Sequence, residues 1–134
     1  LYKKGKFVRE MKETLALIHN TTGTTPKRVR PPYGSAPGLK GEEIRNQIVE
    51  GGIKVWDWSI DSNDWKLKDN PQQIIEDVIR TTTEDVEVVL MHEKPQTLQA
   101  LPEIIKFYKE KGYEFGVYND ADHFRLNFQK DQRL

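Results

Sequence analysis

The run VEVVLMHE at residues 86–93 contains the most strand-like pattern in this chain of 134 residues. Residues 86–91 are nearly continuously apolar and rich in β-branched side chains, which favours a strand. A strand without polar alternation is typical of a parallel sheet, in which both faces are covered. The run therefore predicts an α/β fold and places His92 and Glu93 at the carboxyl end of a strand.

Helical and strand-like patterns alternate on both sides of this run. Apolar residues recur at helical spacing within 7–18, 42–50, 74–79 and 101–108, and strand-like runs cover 27–30, 53–58 and 113–118. Short connections between such elements imply right-handed crossovers and parallel strands. The sequence thus predicts part of a (β/α) barrel with about four β/α units.

Local signals mark the ends of the predicted helices. Gly23 suits a left-handed C-terminal cap, and Asn70 can cap a helix into which Gln73 reaches back as in a capping box. Pro102 is expected in the first turn of the fourth helix, where an N–H would have no partner within the helix. Residues 59–69 are expected to form a polar loop, and Trp56 or Trp58 is expected in the core.

Composition excludes several classes of function. Lys and Arg together number 21, as do Asp and Glu, so the basic surplus of a nucleic-acid binder is absent and no nucleic-acid partner is predicted. No run of about 20 apolar residues predicts a transmembrane segment. The absence of Cys excludes disulfides and thiolate metal sites. Because the chain starts without Met and without a signal-like apolar run, we expect a fragment.

Three predicted strand ends carry chemically active side chains. They are RPPYG at 30–34, DSNDW at 61–65 and LMHE at 90–93. In parallel α/β folds such groups converge at the carboxyl ends of the strands. Each residue alone has an ordinary structural explanation, since Arg30 suits a surface and Asp61 suits a turn. The histidines at 19, 92 and 123 lie far apart, with His19 and His123 expected at the surface, so no zinc site is recognisable.

Taken together and in this order, the three motifs resemble those of the polysaccharide deacetylases, the NodB-homology family of carbohydrate esterases. RPPYG is similar to the third family motif, DSNDW to the Asp-x-x-Asp-Trp fourth motif, and residues 90–92 to the Leu-x-His fifth motif. The closing run from 100 to 115 is similar to bacterial peptidoglycan deacetylases. The resemblance identifies residues 1–134 as the C-terminal portion of a single deacetylase catalytic domain.

This resemblance implies metal-dependent hydrolysis of N-acetyl groups on a glycan such as peptidoglycan or a chitin-type oligosaccharide. Zinc or another divalent metal in the full-length enzyme would polarise the acetamide carbonyl and activate a water molecule. The family motifs that carry the metal ligands and the Asp base normally precede a segment like residues 1–18. The chain alone is therefore expected to bind no metal and to be inactive.

The resemblance also assigns catalytic roles. His92 would be the general acid that protonates the leaving amine, and Asp64 would bond His92 and help to keep it protonated. Arg30 would orient the missing Asp base by a charge-assisted contact. The backbone N–H of Tyr33 would stabilise the oxyanion, on a loop stiffened by proline.

Substrate contacts are implied for Trp65 and Leu90, which would line the acetyl pocket, and for Pro32. Asp61 is expected to hold its own loop. The family further implies an N-acetylated glycan as substrate and an extracellular or cell-envelope location in a bacterium.

Two other functions fit parts of the sequence. A catalytically inactive, deacetylase-like carbohydrate-binding module would use exposed Trp and Tyr to stack on sugar rings. A glycoside hydrolase would need two carboxylates among Asp61, Asp64 and Glu93 across the scissile bond, which leaves Arg30 and His92 unexplained.

A partial barrel leaves strand edges and apolar surface open. Exposed edges favour pairing, and exposed apolar area favours association. We therefore expect the missing N-terminal half, or a second copy of the chain, to cover the first strand around Val29.

Overall fold

The computed structural model describes residues 1–3 and 5–134. They form two compact units: unit 1 comprises residues 1–57 and 118–134, and unit 2 comprises residues 58–117. The elements in chain order are α1 (Lys6–Thr22), β1 (Arg28–Val29), α2 (Glu42–Glu50), β2 (Lys54–Val55), β3 (Ile60–Asp61), α3 (Pro71–Thr81), β4 (Val89–Leu90), α4 (Pro95–Glu110) and a short 3₁₀ helix (Asp120–Asp122).

In unit 1, β1 and β2 pair in parallel, with Val29 opposite Val55. Helices α1 and α2 contribute Phe7 and Ile48 to the core around this pair, and both side chains are fully buried. Helix α1 ends as predicted, because Gly23 takes a left-handed conformation (φ 74°) and donates its N–H to His19 O. The first predicted helix, strand and helix are thus confirmed, with β1 shorter than expected.

In unit 2, β3 and β4 pair in parallel, with Ile60 opposite Val89 and Asp61 opposite Leu90. The core on this pair comes mainly from apolar residues of α3 and α4: Ile60, Ile74, Ile75, Val78, Ala100, Ile104 and Tyr108. Helix α3 starts where predicted, since the Asn70 side chain accepts a hydrogen bond from the N–H of Gln73. The Gln73 amide instead donates to Asp77 Oδ1 (3.1 Å), so the predicted capping box is wrong.

Three predictions about strands and loops are also wrong. Residues 59–69 are not wholly loop, because buried Ile60 pairs with the strand around Val88 and Val89 through backbone hydrogen bonds. Residues 113–118, all described by the structure, contain no strand. Strand propensity there is not realised, because a strand forms only where its N–H and C=O groups pair with a neighbouring strand. Val86, expected in a covered strand, precedes β4 and is 64% exposed.

Three single-residue expectations also differ from the structure. Pro102 lies inside α4 rather than in its first turn, because Pro95 already occupies the start of that helix. Trp56, like Trp58, is half-buried, and its ring packs against the Arg28 guanidinium at 4.1 Å. His123 is also half-buried, with Nδ1 at 2.9 Å from Arg28 Nη2. Among the described helices, none has the length and apolar character needed to cross a membrane.

Two isoleucines of α3 allow a matched test of the unit 2 core. Ile74 is fully buried, whereas Ile79 on the same helix is 41% exposed. We expect Ile74→Ala to lower the free energy of unfolding by about 2–5 kcal/mol, because it removes buried methyl groups and leaves a cavity. Ile79→Ala should cost less than about 1 kcal/mol. Urea unfolding measures both, and equal losses would contradict this description of the core.

Candidate active site

A buried carboxylate, that of Asp64, contacts the ring and the backbone of His92. Asp64 is fully buried, and its Oδ1 lies 2.7 Å from His92 Nδ1. The His92 backbone N–H donates to Asp64 Oδ2 at 2.6 Å. The pairing of β3 with β4 brings the two residues together, because each lies a few positions after one of these adjacent strands. The contact implied by the resemblance is therefore present.

Helix α4 supplies two further donors to Asp64. Thr97 Oγ1 donates to Oδ2 at 2.6 Å, and Gln96 Nε2 donates to the backbone oxygen of Asp64 at 2.8 Å. Both side chains are buried. Sequence reasoning missed Gln96 and Thr97, although two polar residues in the first turn of a helix that follows His92 were a usable signal.

The ionisation of Asp64 follows from these contacts. Burial by itself would raise the pKa of Asp64, but hydrogen bonds from Thr97 and His92 outweigh it and hold the pKa below its ordinary value. An ionised carboxylate only accepts hydrogen bonds, so the facing Nδ1 of His92 carries the proton. In the described part of the chain, His92 Nε2 has no hydrogen-bond partner, and the side chain is 40% exposed.

The loop before Asp64 is held by its own side chains. Asp61 Oδ1 accepts the N–H of Asn63 at 2.8 Å, which confirms the expectation that Asp61 holds this loop. Asn63 has a left-handed backbone (φ 59°), and its amide donates to Asp77 Oδ2 at 2.9 Å. These contacts fix the chain direction just ahead of Asp64. The next residue, Trp65, leaves 58% of its surface exposed.

The RPPYG loop lies in unit 1. The guanidinium of Arg30 donates from Nε to Trp56 O (3.0 Å) and from Nη2 to Asp57 O (2.9 Å). Tyr33 has a left-handed backbone (φ 63°), and its side chain is 89% exposed. Pro32, one residue earlier, is also exposed.

Asp57 is a second buried carboxylate that sequence reasoning missed. Its Oδ1 accepts the Ser35 N–H (2.7 Å), and its Oδ2 accepts the Ser35 hydroxyl (2.5 Å) and the Phe128 N–H (2.7 Å). A charged residue within the aromatic and β-branched run at 53–58 was the available signal. A buried carboxyl group within a strand-like run requires several hydrogen-bond donors.

The seven predicted site residues fall into two groups. Unit 2 contains Asp64, Trp65, Leu90 and His92, of which Asp64 and His92 are in direct contact and Leu90 is half-buried. Unit 1 contains Arg30, Pro32 and Tyr33 on one loop. Their catalytic and binding roles stay predictions.

A metal ion needs several ligating side chains at one point. No group of three or more His, Cys, Asp or Glu side chains among residues 1–3 and 5–134 is placed to hold one. The described residues therefore do not fit a metal site by themselves, and we assign no chemical step to a metal.

Comparisons with known proteins point to one family. No protein-family model matches the sequence. A peptidoglycan-N-acetylglucosamine deacetylase of Bacillus cereus is 51% identical over the whole chain, which covers 51% of that protein. The chain spans about half or less of the length of the curated relatives it matches.

Solved structures agree with this relationship. A polysaccharide deacetylase from Bacillus cereus is 50% identical with a TM-score of 0.94, and the match covers 100% of this chain and 68% of that one. A pseudoenzyme of carbohydrate esterase family 4 from Bacillus anthracis is 26% identical with a TM-score of 0.70, covering 83% and 38% of the two chains. The structural neighbours are barrels of the NodB-homology type, so the predicted fold class, part of a (β/α) barrel, is confirmed.

The hydrogen bond from Thr97 to Asp64 can be tested by its dependence on pH. We expect Thr97→Val to lower the free energy of unfolding by about 1.5–3 kcal/mol at pH 7, because a bond to a buried charge is lost. Since the pKa of Asp64 is depressed, this contribution is present above the unfolded-state pKa of about 4 and disappears as the pH falls through the folded-state pKa.

Urea unfolding at pH 7 and near pH 3 measures this difference, which should shrink in acid. Thr83→Val is the matched control, since Thr83 is exposed. A loss of stability of the same size at both pH values, or the same loss in the control, would contradict the assignment.

Proposed function

Because the chain belongs to the polysaccharide deacetylases of carbohydrate esterase family 4, we propose that the protein containing it hydrolyses N-acetyl groups of a glycan. In this proposal residues 1–134 are the C-terminal portion of a single catalytic domain. The substrate is peptidoglycan or a chitin-type oligosaccharide, and the reaction breaks an amide C–N bond to release acetate. The observation that supports it most is the contact between buried Asp64 and half-exposed His92.

His92 is the proposed general acid. An amine leaves a tetrahedral intermediate only when its nitrogen is protonated, and a positioned imidazolium supplies that proton. The Nδ1 hydrogen bond to Asp64 fixes the ring, while Nε2 is available to the leaving nitrogen. The ionised Asp64 carboxylate stabilises the charged ring through this contact.

Arg30 and Tyr33 have the proposed roles of orienting the catalytic base and stabilising the oxyanion. Two backbone carbonyls hold the Arg30 guanidinium in place, which suits a cation that orients an Asp base supplied by another part of the protein. The Tyr33 N–H donates no hydrogen bond within the described residues, so a developing oxyanion is a suitable acceptor.

Substrate binding is assigned to exposed and half-buried residues near these motifs. Trp65 and Leu90 would line the acetyl pocket, and Pro32 would contact the glycan beside Tyr33. The exposed faces of Trp65 and Pro32 agree with this assignment. Zinc or another divalent metal belongs to the full-length enzyme in this proposal, with ligands outside this chain. The substrate places the protein outside the cell or in the bacterial envelope.

A second candidate is an inactive, deacetylase-like carbohydrate-binding module. It is supported by the similarity to a family 4 pseudoenzyme. Both functions predict glycan binding, and only the first predicts release of acetate. A glycoside hydrolase lacks support because Asp64, one of its candidate carboxylates, is fully buried. It accepts four hydrogen bonds from His92, Thr97 and Gln96.

The deciding experiment measures acetate release from N-acetylglucosamine tetramers by the full-length protein with added zinc. We expect His92→Ala and Asp64→Asn to lower kcat by about 10²–10⁴-fold, because the first removes the proton donor and the second removes the carboxylate that orients it. Glu93→Gln is the control, since Glu93 is exposed and lies next to His92. Full activity in His92→Ala would contradict the role of His92, and tetramer binding without acetate release by the wild type would favour the inactive module.

The pH–rate profile tests the coupling between Asp64 and His92. In Asp64→Asn the alkaline limb should move to lower pH, because the neutral amide stabilises an imidazolium less than the carboxylate does. An unchanged alkaline limb would mean that Asp64 does not control the protonation of His92. The profile of Glu93→Gln should coincide with that of the wild type.

A further inference from the structure

Tyr33 has a backbone conformation that its own side chain does not stabilise. Its φ of 63° lies in the left-handed region, which is unfavourable for a residue with a Cβ atom. The side chain is 89% exposed and therefore gains little from packing. Such strain persists only where surrounding contacts enforce it.

Both ends of the loop that contains Tyr33 are bound to Asp57. Arg30, at the start, donates to the backbone oxygens of Trp56 and Asp57. Ser35, at the end, donates both its N–H and its hydroxyl to the Asp57 carboxylate. Within the loop, Gly34 N donates to Pro31 O at 2.9 Å.

The segment 126–129, which is distant in sequence, also binds Asp57 and Ser35. Phe128 N lies 2.7 Å from Asp57 Oδ2 and 3.0 Å from Ser35 Oγ. The Gln129 amide donates to Ser35 O at 3.0 Å, and Asp57 N donates to Leu126 O at 2.7 Å. Asp57 and Ser35 are both fully buried, so water does not compete for these bonds.

We propose that Asp57 is a positioning residue for the deacetylation reaction. Asp57 joins segment 126–129 to Ser35 and thereby holds Tyr33 in the conformation that presents its N–H to the oxyanion. This inference rests on the proposed function. The N–H of Tyr33 acts on charge that develops in the transition state, so Asp57 should influence kcat rather than substrate binding. The segment 126–129, which lies outside the three strand-end motifs, becomes part of the catalytic apparatus in this way.

Asp57→Asn in the full-length protein tests the proposal, with Asp131→Asn as the matched control. Asp131 is also largely buried and hydrogen-bonded, but its carboxylate binds Arg45 and Arg133 rather than the loop. We expect Asp57→Asn to lower kcat on N-acetylglucosamine tetramers by roughly 10-fold or more, with KM changed less than about twofold, because loss of a single oxyanion donor lowers kcat by about 10²–10³-fold. Asp131→Asn should leave both constants near the wild-type values.

Hydrogen exchange at the backbone provides a readout that does not depend on activity. Exchange at the amides of Ser35 and Phe128 should accelerate together in Asp57→Asn and stay slow in Asp131→Asn. Ser35→Ala, which keeps the carboxylate and removes one donor, is the second variant if Asp57→Asn does not fold, and it should lower kcat with unchanged KM.

Unchanged exchange at Ser35, unchanged kcat, or an equal loss of kcat in the Asp131 control would overturn the proposal. A wild-type protein without deacetylase activity would overturn the proposed function instead, while the exchange measurement would still report whether Asp57 holds the loop.

Discussion

The buried carboxylate of Asp64 is the interaction on which the candidate site in unit 2 depends. It accepts hydrogen bonds from the ring and backbone of His92 and from the hydroxyl of Thr97. These donors come from the end of β4 and from the first turn of α4, so a single side chain links three segments. Without these donors the buried charge would destabilise the folded state. The hydrogen bonds that allow unit 2 to fold therefore also orient His92.

In unit 1 the buried side chain of Asp57 likewise needs hydrogen-bond donors. There the donors are Ser35 and Phe128, which are far apart in sequence and both bind the one carboxylate. Two hydrogen bonds from Arg30 to neighbouring backbone oxygens strengthen the same region. In both units a polar group inside the core fixes a loop that carries a motif, whereas the apolar core fixes the helices against the strands.

Membership of carbohydrate esterase family 4 gives these contacts a chemical meaning, although the family includes both active enzymes and pseudoenzymes. An intact Asp64–His92 contact is what an acid catalyst needs, because a histidine donates a proton in a defined direction only when its other nitrogen is held. The contact supports the proposed enzyme activity, whereas a module that only binds sugars does not require it. The exposed faces of Tyr33 and Trp65 suit contact with a glycan in either case.

Helices α1 to α3 and the strand ends that carry RPPYG and His92 follow from the sequence alone, because apolar spacing, Asn70 and Gly23 act over a few residues. The DSNDW motif was expected after a strand at 53–58, whereas it begins in β3. The motifs also single out Asp64 and His92, which are in contact in the structure. The sequence did not predict β3 or the absence of a strand at 113–118, since pairing depends on which neighbour is available. Nor did it predict that Thr97 binds Asp64 in unit 2, or that Phe128 binds Asp57 in unit 1. Their roles depend on distances across the folded chain, and a buried carboxylate takes its donors from whatever segments the tertiary structure brings within about 3 Å.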